Sequence, residues 1–123
     1  MRFGVCGPIE QAQMVADADF DYLEVGVRDV LAPTTPSKDW QPPDTDALPL
    51  PIEAANGLLP GELKIIGPER DTTALQDYMQ RAAKRAEQLG ISRLVFGSGS
   101  SRRRPDEVDR DTAWGQLCEF TRM

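Results

Sequence analysis

Four short apolar runs limit what this chain can fold into: Arg2–Cys6 (RFGVC), Tyr22–Val27 (YLEVGV), Ile52–Asn56 (IEAAN) with its follow-on Leu63–Ile66 (LKII), and Arg93–Gly97 (RLVFG). Each ends in or near Gly, Asn or Cys. Runs this short and this continuously apolar predict strands buried on both faces, the pattern of a parallel sheet covered by helices.

Helical patterns separate the runs. Leu75, Met79, Ala82, Ala86 and Leu89 share one face of a helix predicted over Thr73–Leu89. Thr73 and Gln76 have the spacing of a capping box, and Gly90 supplies the left-handed residue that ends a helix. The opposite face, with Gln80, Lys84, Arg85 and Gln88, reads as solvated. A shorter helix is expected at Ile9–Ala18, after Pro8, with Ile9, Ala12, Val15 and Ala16 facing inward. A last helix, about Asp109–Arg122, places Trp114, Leu117, Cys118 and Thr121 on one side, with Trp114 packing helix on sheet. Its pattern reaches Met123 without a stop signal, as expected of a chain that continues.

Between Ala32 and Pro51 stand Pro33, Pro36, Pro42, Pro43, Pro49 and Pro51. Proline at this density excludes a regular helix or central strand. The length of the connection marks a functional loop or a mobile segment, and Trp40 within it is a candidate lid residue for stacking on a sugar.

Alternating strands and helices predict an α/β fold with right-handed crossovers. Four units in 123 residues average about 31 residues each, and eight such units approach the roughly 250 residues of a (β/α)8 barrel. A small doubly wound sheet is the competing closure, but it normally needs a fifth strand, and none follows Gly99. The arithmetic favours one domain, residues 1–123, forming the first four βα units of a TIM barrel.

Charge and residue inventory narrow the chemistry. A formal net charge of −6 argues against salt-driven nucleic-acid binding and against docking on an acidic membrane. No apolar run is long enough to span a bilayer, and Glu10 interrupts the N-terminus too early for a signal peptide. Cys6 and Cys118 read as free thiols of a cytoplasmic protein. With no histidine, the chain cannot build a Ser-His-Asp triad or a His general base from its own residues.

The segments FDYLEVGV, PIEAANGLLPGELKIIGPERD and AEQLGISRLVFGSGSSRRRPDE resemble the sugar phosphate isomerase/epimerase family, a group of xylose isomerase-like TIM barrels. The similarity runs from Phe3 to Phe120, and FGSGSSR followed by Pro105 is its most specific part. The resemblance implies an intact protein about twice this length, with a divalent metal at the C-terminal mouth of the barrel. It also implies metal ligands on strands five to eight, outside this chain. These residues would then be the substrate-facing wall, inactive by themselves.

Strand ends face the active site of a barrel, which puts Cys6, Glu24, Asn56 and Ser98 at the mouth. Glu24, among Leu23, Val25 and Val27, is either a partner for a sugar hydroxyl, water or Arg, or a carboxylate tying strand two to its neighbour. Asn56 either reads a hydroxyl or starts an Asn-Gly turn. In Gly97–Arg102 the glycines suit an anion cradle, with Arg102 contacting substrate or ordering the loop; the alternative is a solvated basic loop. Cys6 is expected to line the wall or pack in the core.

The leading expectation is a metal-dependent isomerase or epimerase that moves a proton beside the carbonyl of a small sugar. A noncatalytic carbohydrate-binding or interaction module is the alternative. A phosphodiesterase of the endonuclease IV type fits the acidic, His-free sequence less well. A sheet left with open edges also favours a homodimer.

Overall fold

A computed structural model of the chain describes Met1–Met123. Gly4–Cys6 (β1), Tyr22–Gly26 (β2), Ile52–Asn56 (β3) and Arg93–Leu94 (β4) form one sheet in the order β1-β2-β3-β4. All three pairings are parallel, as the unbroken apolar runs predict. The helices are Ala12–Asp17 (α1), entered through a 3-10 turn at Ile9–Gln11, Thr72–Gln88 (α2) and Arg110–Phe120 (α3).

Right-handed crossovers that always step to the next strand put every connecting helix on the same side of a sheet. The burial pattern follows that rule. Leu23 and Val25 of β2 and Ala55 of β3 are fully buried, with Val5 and Leu94 packed beside them. Against this face lie Ala12 and Val15 of α1, Leu75, Tyr78 and Ala86 of α2, and Ala113 and Phe120 of α3. The strand alternation turns Cys6, Tyr22, Glu24, Asn56 and Arg93 to the other face, and no helix covers them. The Tyr22 ring occupies the space beside Gly4 and leaves no room there for a Cβ. No helix is long and apolar enough to cross a membrane.

Several local readings are corrected. Leu63–Ile66 is irregular chain rather than strand: Pro60-Gly61 and Gly67-Pro68 bracket it, although Ile65 and Ile66 are buried. The fourth run contributes only Arg93–Leu94 as strand, yet backbone bonds from Ser92 to Glu53 and from Val95 to Ala55 extend the pairing at both ends. The cap of α2 is Asp71, not Thr73; its carboxylate accepts from the Ala74 amide at 2.9 Å. A carboxylate satisfies an orphan amide and also suits the positive end of the helix. In α3 the buried face runs through Ala113 and Phe120, one residue out of phase with the expected stripe, and leaves Trp114 67% exposed.

The most consequential correction is Arg85. The solvated reading fails: it is only 3% exposed. Its guanidinium donates to the carbonyls of Leu31 (2.8 Å), Ala32 and Thr35 (2.7 Å). It also stands over the Trp40 ring, 4.7 Å from the centroid, while the Trp40 indole donates to the Val30 carbonyl at 3.1 Å. The chain enters this region through a π-type turn, Val27–Leu31, and turns at Ala32 with φ of 42°. The proline-rich segment is thus a strap pinned to α2, with its own Pro33 and Leu50 buried.

Arg85→Lys keeps the charge and loses the planar fork. A loss of about 2–4 kcal/mol is expected from urea unfolding, with faster proteolysis between residues 32 and 51. A second prediction concerns Tyr78, which is 2% exposed and whose hydroxyl has no hydrogen-bond partner. Burial, helped by Glu62 and opposed by Arg28, pushes its phenol up to about 12. The folded state therefore holds this proton more tightly than the unfolded chain does. The associated stability is complete below about pH 10 and is lost as pH rises towards 12, by on the order of 2–3 kcal/mol. Tyr78→Phe removes that part of the alkaline decline and leaves neutral-pH stability unchanged or raised, which unfolding curves across this range measure.

Candidate functional site

The C-terminal ends of β1, β2 and β3 meet on the uncovered side of the sheet. Cys6 is in register with Glu24, and Gly26 with Asn56. Asn56 reaches back across β2: its Nδ2 donates to Glu24 Oε1 at 2.8 Å and to Cys6 Sγ at 2.8 Å. Both amide protons are thereby engaged, and Oδ1 remains as an acceptor. Gly57 follows in the left-handed region, φ 66°, so Asn56 both begins a turn and bridges three strands. Glu24 is half-buried, and Asn56 ties it to the neighbouring strand.

A cleft of 440 Å³ opens at this edge, lined by residues that include Cys6, Glu10, Gly26, Asp29, Gln41 and Asn56. Asp29 folds back over the end of β2, where its Oδ2 lies 2.3 Å from the position a Cβ on Gly26 would take. Any side chain at Gly26 would push that carboxylate aside. Gln41 and Pro43 bring the strap to the rim. Two carboxylates and no Lys or Arg line the cleft, so it presents hydrogen-bond acceptors and a negative potential.

Glu24 and Asn56 are brought together, but Glu24 sits in the middle of β2 rather than at its end and does not line the cleft; Ser98 and Arg102 stand elsewhere. Ser98, at φ 40°, accepts from the Leu59 amide at 3.0 Å. The amides of Ser101 and Arg102 donate to the Ser98 carbonyl, so these two do not converge on an anion. Ser101 is fully buried, donates to the Pro60 carbonyl at 2.8 Å and accepts from the Ile65 amide. The glycine-serine loop thus latches the chain after β3. Arg102 is exposed, and its side chain forms no hydrogen bond or ion pair.

Reasoning from the sequence missed Glu10, Asp29 and Gln41. The first two had a signal: each lies three or four residues beyond a strand end, where a βα loop begins. Gln41 had none, because only the pinned strap carries it there. No three His, Cys, Asp or Glu side chains converge anywhere, so the residues present do not fit a divalent-metal centre. No family model, curated protein or solved structure matches the chain.

Asn56→Ala would leave Glu24 Oε1 without its donor. A loss of about 1–3 kcal/mol in urea unfolding is expected, with Asn56→Gln recovering part of it; an unchanged midpoint for the alanine variant would show that the bridge is slack.

Proposed function

We propose that this chain is the substrate-binding wall of a sugar isomerase/epimerase-like barrel, and that the cleft at the ends of β1–β3 holds a small polyhydroxylated ligand. One observation carries the reading. Four parallel strands run in strict chain order, and α1, α2 and α3 all bury residues in the one core that holds Leu23, Val25 and Ala55. A doubly wound sheet reverses its order at a switch point and puts helices on both faces, whereas a (β/α)8 barrel does neither. In a barrel the C-terminal strand ends are where substrates bind, and here those ends carry Cys6, Gly26 and Asn56.

The cleft has the volume of a small-molecule site. Asn56 Oδ1 and the Asp29 and Glu10 carboxylates suit hydroxyl donors, and the absence of a lining cation favours a neutral sugar over a phosphorylated one. Proton transfer beside a carbonyl also needs an acid/base pair and, as the family resemblance implies, a divalent metal. The residues described do not fit that metal, so no step is derived through it. What these side chains offer is binding and orientation.

A noncatalytic sugar-binding module is the second reading, favoured by the commitment of Asn56, Glu24 and Cys6 to one another. The open edges of β1 and β4 suit pairing of two copies, and sedimentation giving only monomer would remove that element. The central test is an NMR titration with a neutral ketose and its phosphate ester. The Asn56 side-chain amide and the Gly26 amide should shift saturably with the ketose and less with the ester. Undisturbed signals with every neutral sugar tried would end the sugar reading.

A further inference from the structure

The strap separates two cavities of opposite character. Its Gln41 and Pro43 edge the acidic cleft, while Ser37, Trp40 and Pro42 face α2 across a second cavity of 320 Å³. The α2 side of that cavity is Arg81, Lys84, Arg85 and Gln88. These positions follow the i, i+3, i+4, i+7 spacing of one helix face.

In a chain of net charge −6, three cations on successive turns would ordinarily attract carboxylates. None of the three is in an ion pair; the ion pairs join Arg2 and Arg93 to Glu53, and Arg70 to Glu119. Arg85 spends its donors on neutral carbonyls, and Arg81 Nε donates to the Asp77 carbonyl at 3.2 Å. Desolvation and the neighbouring Arg81 both hold the Arg85 guanidinium below its ordinary value. Like charges at i, i+4 repel, and a buried charge without a counter-charge is costly. The arrangement is an uncompensated cationic recess with an aromatic wall.

We propose that this recess binds a small dianion of the phosphate-monoester class. Arg81 and Lys84 supply charge-assisted hydrogen bonds, Arg85 adds its charge from behind, and Ser37 and Gln88 offer neutral donors. The site is separate from the acidic cleft and does not depend on the sugar reading.

The test uses Trp40 as reporter in a Trp114→Phe background, so that the exposed Trp114 does not mask it. Inorganic phosphate, glycerol 3-phosphate and sodium chloride at matched ionic strength are titrated separately, following Trp40 emission and Tm. Saturable emission changes and a rise in Tm with the phosphates, beyond any chloride effect, are expected. Tighter binding of glycerol 3-phosphate would assign the site to an organic monoester, and equal binding to phosphate itself. Arg81→Gln with Lys84→Gln, at exposed and half-exposed positions, should weaken binding roughly 10- to 100-fold with an unchanged far-UV spectrum. A response no greater than that of chloride overturns the proposal, as does one that survives in a folded double variant. Should the double variant not fold, the chloride comparison alone decides.

Discussion

A single guanidinium holds the longest connection of this protein in place. Arg85 comes from the last turn of α2 and donates to the carbonyls of Leu31, Ala32 and Thr35, in a segment whose prolines rule out a regular hydrogen-bonded ladder. Arginine suits the task because its fork reaches several acceptors at once and its flat face stacks on Trp40. With the strap fixed, Leu50 is buried and β3 starts beside β2. The rim of the cleft at Gln41 and Pro43 is fixed by the same contact.

The sheet is one-sided, and that asymmetry organises the rest. One face is aliphatic and carries the helices; the other is small and polar, with Asn56 joining β1, β2 and β3 through Cys6 and Glu24. A half-buried carboxylate in an apolar strand would be unfavourable without a donor, and Asn56 is the donor supplied. The polar bridge therefore has a structural reason to exist, and it leaves acceptors directed to a cleft. Two recesses of opposite sign on either side of one strap give the molecule an electrostatic polarity that its net charge conceals.

Much of the fold was legible. The first three apolar runs contain β1, β2 and β3, and α2 lies where its stripe of Leu75, Ala82, Ala86 and Leu89 placed it. Gly90 is in the left-handed conformation its position called for. Misreadings arose where local signals were degenerate. Ala113, Trp114 and Leu117 admit two helical phases, and packing chose the one that buries the smaller residue. Leu63–Ile66 is apolar because it is buried, not because it is extended. Of the candidate site, Glu24 could be found as the carboxylate interrupting an apolar strand and Asn56 as the polar residue closing one. The glycine-serine loop could not be read, because a cradle for an anion and a latch for a neighbouring loop use the same residues.

By itself the sequence determined the periodicities: where the chain extends, where it coils, where proline forbids both, and that no histidine chemistry is possible. These follow from local sterics and side-chain type, which each residue carries wherever it stands. The tertiary structure alone decided that Arg85 is buried, that the strap is pinned and that Gln41 reaches the cleft. Arg85 and the carbonyls it serves lie 50 or more positions apart. A contact at that separation leaves no mark in the local pattern of either segment; it exists only once the crossovers have brought α2 against the start of the strap.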